Sequence, residues 1–163
     1  MLRVAPAEPS RFGAAVMSDM SLARYEGFAD LPEAQALKDR LDREEAESRA
    51  AGIHLIAVQS ADGSLVVGDS HVYGNAQQPF ASERFDRLIP DEFDCVFDLP
   101  GRTVVNRWIG TYASSKGRQV LVERPADHLR RVMVTGGTGA STGFALGEQV
   151  VDDLYASTSC SWE

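Results

Sequence analysis

The chain has 163 residues, 44% of them apolar and 25% charged, with a formal net charge of −8 at neutral pH. That length carries one ordinary hydrophobic core. The acidic balance excludes nucleic acid and anionic membrane as expected partners, because both need basic patches. No apolar run approaches the roughly 20 residues of a bilayer span, and residues 1–6 lack the apolar stretch of a secretory signal, so the expected setting is cytoplasmic. Cys95 and Cys160 fit no metal spacing and read as free thiols in a reducing compartment. His54 and His128 stand apart from each other and from the cysteines, so no metal is expected.

Leu2 to Val4 reads as a strand, ended by Pro6 and Pro9. Ser21 to Phe28 is a second short segment. Asp30 is the expected cap of a helix with Pro32 in its first turn, running to Gly52. Leu37 and Leu41 mark its inner face, and the charge run from Asp39 to Arg49 its solvated one. Ile53–Val58 and Leu65–Gly68, joined by Asp62-Gly63, form the clearest hairpin, with Asp69 to Gly74 continuing the second strand. Asn75 to Pro79 is expected as a loop. Ser82 to Phe97 has apolar residues at helical spacing, and Pro90 is expected to kink or split it. After Pro100-Gly101 come a long strand over residues 103–112, a turn at 115–118, a strand over 120–122 and a turn at 125–128. Adjacent strands joined by tight turns are antiparallel, so the fold class is α+β: a mainly antiparallel (mixed) sheet with flanking helices.

The last element is the most distinctive. An apolar strand over residues 131–135 enters Gly136-Gly137-Thr138-Gly139-Ala140-Ser141-Thr142-Gly143, which opens a helix. The first N–H groups of a helix lack internal partners and attract anions and electron-rich atoms. The loop is not a dinucleotide fingerprint. Thr142 stands where the third glycine of GxGxxG belongs, and no second βαβ unit follows. The lysine of a P-loop is also missing. The plainest alternative is a tight turn, with Gly143 and Gly147 on one face letting the helix approach the sheet closely.

Four segments together resemble the C-terminal part of an FAD-dependent amine oxidase of the D-amino-acid oxidase and glycine oxidase superfamily. They are the hairpin from Leu55 to Ser70, Trp108-Ile109-Gly110-Thr111-Tyr112, the strand Val132 to Thr135, and Gly136 to Gly143 with its helix. Gly68-Asp69-Ser70-His71 and Gly137-Thr138-Gly139-Ala140-Ser141-Thr142 are similar to a clade of that superfamily associated with phosphonate breakdown. The resemblance covers nearly the whole chain.

The resemblance implies a D-amino-acid-oxidase-like substrate-binding part over residues 1–130. It further implies a strand-loop-helix over 131–163 that returns to the FAD-binding domain, whose N-terminal GxGxxG portion the sequence does not contain. FAD is the implied cofactor, held by Gly136, Gly137, Thr138, Gly139, Ala140, Ser141 and Thr142. His71, Tyr73 and Tyr112 are the implied catalytic and substrate-contacting residues, with His71 binding or deprotonating the amine or holding an anionic group. Tyr112 occupies the position of the superfamily's carboxylate-binding arginine. A phosphonate-bearing primary or secondary amine would fit that change. Trp108 reads as packing, and Arg102 and Arg107 as further candidates for holding an anion. The expected partners are the small amine substrate and the missing FAD-binding portion, without which this chain is expected to be inactive. The alternative is a free-standing, non-enzymatic α+β module that binds a small anion at the glycine loop.

Overall fold

A computed structural model describes residues 1–74, 79–115 and 117–156. It divides into two compact units, residues 1–110 and 111–163, each described here by itself. The protein is α+β, and every strand pairing is antiparallel.

The first unit is built on β1 (Leu2–Ala5), which pairs with β4 (Leu65–Gly68) on one side and β5 (Thr103–Arg107) on the other. β3 (Ile56–Gln59) pairs with β4, and β2 (Val16–Met17) completes a five-stranded sheet ordered β2-β3-β4-β1-β5. Alternation along β1 and β4 buries Leu2, Val4, Leu65 and Val67 on one face. The helix α5 (Glu83–Val96) covers that face with Leu88, Ile89 and the fully buried Phe93. Phe97 stacks on Phe93 with ring centroids 4.5 Å apart and takes the edge of Phe12 at 5.2 Å.

Four helical segments fill the first half of the unit: α1 (Asp19–Leu22), α2 (Glu26–Ala29), α3 (Ala34–Glu44) and α4 (Ala46–Ala50). Met20, Ala23 and Leu41 form a smaller core here, with Leu37 packed against it. The charge run of α3 and α4 faces solvent, as expected, and is laced by Arg40–Asp19 at 2.5 Å and Arg49–Asp42 at 2.8 Å. Asp30 does not cap α3. The Tyr25 carbonyl captures the N–H groups of Phe28 and Ala29, so residues 26–29 close their own turn and Asp30 ends it. Glu33 then precedes α3 without a side-chain cap.

The long strand expected over residues 103–112 stops at Arg107. β1 is its one partner, and Leu2 opposite Arg107 is the last residue of that ladder. Residues 108–112 are not strand, although the Trp108 N–H still bonds the Met1 carbonyl at 3.2 Å. Pro90 does not split α5, which runs through it. Residues 69–74 are not strand. The loop expected over 75–79 falls almost wholly outside the described residues, as does Cys160.

In the second unit, β6 (Val120–Ala126) and β7 (Leu129–Val134) form a hairpin, and α6 (Gly139–Tyr155) follows the glycine turn. β6 runs past the expected end at Val122; its register slips between Glu123 and Ala126, where Pro125 cannot donate to the ladder. Asp153 anchors α6. Its fully buried carboxylate receives Arg124 and Arg130 of the hairpin, and Arg130 Nη2 also donates to the Asp153 carbonyl at 2.9 Å. Among the described residues, no helix is long and apolar enough to cross a membrane.

Removing one partner of a buried ion pair leaves uncompensated charge and costs about 3–5 kcal/mol. Asp153→Asn is therefore expected to speed amide hydrogen exchange throughout residues 139–155 and to leave β1–β4 protected. Phe93→Ala should lower the stability of the first unit by about 3–5 kcal/mol in urea titrations.

Candidate functional site

His54 and Asp69 lie just outside β3 and β4, where the ladder ends. Their backbones bond reciprocally: His54 N–H to Asp69 C=O at 3.1 Å and Asp69 N–H to His54 C=O at 2.7 Å. The ladder register, Ile56 opposite Gly68, would have set His54 against Ser70. The chain slips by one residue instead, so the His54 and Asp69 side chains emerge on the same side of the pair. His54 Nε2 lies 2.9 Å from Asp69 Oδ1.

His71 reaches the same carboxylate from the next stretch of chain. Its N–H bonds the Ala51 carbonyl at 3.4 Å, which presses it against Gly52. Gly52 has φ +62°, and a Cβ there would stand 2.9 Å from the His71 carbonyl oxygen, so glycine is required twice over. His71 Nε2 lies 3.7 Å from Asp69 Oδ2, and its ring stacks beside His54 with centroids 5.1 Å apart. One donor atom from each of His54, Asp69 and His71 falls within 4.8 Å of the others. Sequence spacing alone carried no sign of this grouping, because a hairpin and a one-residue slip bring the three together.

Hydrogen bonds assign the His54 tautomer. Ser21 Oγ has a single proton and donates it to the Leu55 carbonyl at 2.7 Å. Toward His54 Nδ1, 3.3 Å away, it can then only accept, so Nδ1 carries hydrogen. His54 is 3% exposed, and the Tyr25 ring edge closes it at 5.5 Å. Nε2 faces the Asp69 carboxylate and hydrogen-bonds it.

Burial works against charge on Asp69, yet the hydrogen bond from His54 and the nearby charges of His71 and His54 outweigh it and hold the carboxyl below its ordinary value. Burial pushes the His71 imidazole below its ordinary value; Asp69 opposes this, and Arg24 and His54 add to it. Near neutral pH the site thus presents a carboxylate and a neutral imidazole.

Of the implied substrate-contacting residues, Tyr73 joins this group. Its ring stacks on His71 at 6.1 Å, and its hydroxyl accepts a hydrogen bond from Arg24 at 2.7 Å. Tyr112 belongs to the second unit and is half exposed. Arg102 and Arg107 are engaged within the first unit, with Asp94 at 2.5 Å and Asp86 at 2.9 Å. Trp108 is partly exposed rather than core.

In the second unit, Gly137, Thr138, Ala140, Ser141 and Thr142 are exposed, with Gly136 and Gly139 half-buried. The Ser141 and Thr142 N–H groups bond the Thr138 carbonyl at 3.1 and 3.0 Å, and their hydroxyls bond the same oxygen. That leaves the Gly139 and Ala140 amides as the open ones of the first turn. A Cβ added at Gly137, Gly143 or Gly147 would meet nothing within 4 Å. The close approach expected at Gly143 and Gly147 is thus not made among the described residues.

A concavity of about 400 Å³ lies in the first unit, lined by Ser18, Asp19, Arg40, Glu44, Glu92 and Cys95, among others. Burial raises the Glu92 carboxyl above its ordinary value, with a hydrogen bond from Ser18 and repulsion from Asp19 and Glu45 as smaller influences. A raised folded-state value means that the folded protein holds this proton more tightly than the unfolded chain. Glu92 therefore supports folding below the unfolded value of 4.5 and loses that support as pH rises through its folded value. Glu92→Gln should gain stability relative to the parent as pH rises from 4 towards neutrality, read by thermal unfolding across pH. Gly52→Ala should cost about 1–3 kcal/mol through its left-handed backbone. It should also shift the His71 imidazole resonances while leaving those of His128 in place.

No family model matches the chain, and neither curated proteins nor solved structures yield a similar one.

Proposed function

We propose that this chain is the substrate-binding and flavin-contacting portion of an FAD-dependent amine oxidase. The observation that carries the reading is the open glycine turn at the head of α6. Most of its residues are exposed, and two of its glycines, Gly137 and Gly143, have free space where a side chain would stand. A planar ring can approach such a backbone closely, and the helix dipole favours negative charge there. The uncovered apolar residues of α6 support the same reading: Phe144 is 96% exposed, and Val151 and Tyr155 lie along the same side. A helix of this kind suits a face that meets further protein, such as the FAD-binding portion that the resemblance implies.

When bound, FAD supplies the hydride acceptor that turns an amine into an imine. The backbone of Gly137, Thr138, Gly139 and Ala140 would hold it. His71 and Tyr73, with Arg24 behind the tyrosine hydroxyl, would form the polar wall that receives the substrate. In the second unit, Tyr112 stands where the resemblance puts a carboxylate-binding arginine, in keeping with a phosphonate-bearing amine rather than an ordinary α-amino acid.

The isolated chain is expected to purify colourless and to self-associate through α6, as measured by absorbance and light scattering. Joined to a GxGxxG-containing FAD-binding portion, it should retain flavin and turn over a small amine. Gly137→Val, which finds open space in this chain, should leave the fold intact but lose the flavin. His71→Ala in the joined protein should lower turnover more than tenfold. A yellow, monomeric isolated chain, or flavin retained unchanged by Gly137→Val, would overturn the reading. Phosphate bound at the glycine turn of the isolated chain would favour the free-standing module instead.

A further inference from the structure

We infer that His54 Nε2, His71 Nε2 and the Asp69 carboxylate bind a divalent transition-metal ion of the Zn²⁺ type. This goes beyond the oxidase reading and does not depend on it. Donor atoms about 2.0–2.2 Å from such an ion stand about 3–3.5 Å from one another. The spacings of 2.9 and 3.7 Å to the two carboxylate oxygens bracket that range. The two imidazole planes lie within 23° of parallel, and both rings present Nε2 to the same acid. The three donor atoms lie within 4.8 Å of one another, so the set closes inward around the ion on binding.

The surroundings match those of a ligand set. A metal-bound histidine donates its other ring N–H to a fixed acceptor, which sets the tautomer. Ser21 Oγ is that acceptor for His54, itself held by the Leu55 carbonyl. A metal ion between His54 Nε2 and Asp69 Oδ1 would take the place of the proton of their 2.9 Å hydrogen bond. Two imidazoles and one carboxylate favour zinc, cobalt or ferrous iron over magnesium or calcium, which prefer all-oxygen sites. Three protein ligands leave a coordination position open. Asp69 is 26% exposed at its side chain and His71 11%, so solvent and a small oxygen ligand can reach it.

The experiment uses the full chain stripped of metal with a chelator. Titration calorimetry with Zn²⁺ should give one ion per chain, and Co²⁺ should give the visible absorption of a nitrogen- and oxygen-bound ion. Zn²⁺ should shift the imidazole resonances of His54 and His71 but not those of His128, a readout that needs no variant. Asp69→Asn and His71→Ala, checked for folding by circular dichroism, should weaken binding at least 100-fold. Ser21→Ala should weaken it about tenfold through the loosened His54 ring. Absence of stoichiometric Zn²⁺ binding, a shift at His128, or thiolate-to-cobalt absorption would overturn the inference. So would undiminished affinity in folded Asp69→Asn and His71→Ala.

Discussion

The reciprocal backbone pair between His54 and Asp69 governs the first unit's chemistry. It adds one rung to the β3–β4 ladder, shifted by a residue from the rungs before it. Side chains alternate faces along a strand, so a slip of one decides which partners meet. Without it, Asp69 would point to the other face and His54 would meet Ser70. With it, a buried imidazole meets a carboxylate, and that carboxylate becomes the point on which His71 also converges.

Other features of the region follow from keeping this rung in place. Gly52 adopts a left-handed conformation and lacks a Cβ where the His71 backbone crosses it. Ser21, fully buried at the end of α1, spends its only proton on Leu55 and so orients the His54 ring. β2 adds the Ser18 N–H to Leu55 C=O bond at 3.1 Å, which carries α1 to the edge of the site. Polar groups withdrawn from water must find partners, and here each partner also positions a group with chemical potential.

The second unit is stabilised differently. Its hairpin and α6 are joined by a buried carboxylate between two arginines rather than by a broad apolar face. Much of the apolar surface of α6 is left in the open. Buried ion pairs contribute more to a specific geometry than to net stability when apolar packing is scarce around them. An anchored helix with an uncovered side is suited to presenting its N-terminal turn and apolar stripe to something else.

Strong local patterns were readable from residues 1–163 as written. Asp62-Gly63 between two apolar runs predicted the β3–β4 hairpin, and the 3.6-residue spacing of Phe85, Leu88, Ile89 and Phe93 predicted α5. Glycines ending one element and opening another marked Gly52 and the head of α6. β2 escaped notice because two residues carry no period. The end of β5 was invisible because it depends on pairing with β1, whose Leu2 stands opposite Arg107. The imidazole–carboxylate group was equally hidden, since residues 54, 69 and 71 share no spacing that a ligand rule recognises. Periodicity and turn chemistry are local quantities, and the chain states them directly. Register, partner availability and the convergence of distant side chains arise only when backbone groups compete for hydrogen bonds in three dimensions, and that competition was decided by the folded structure.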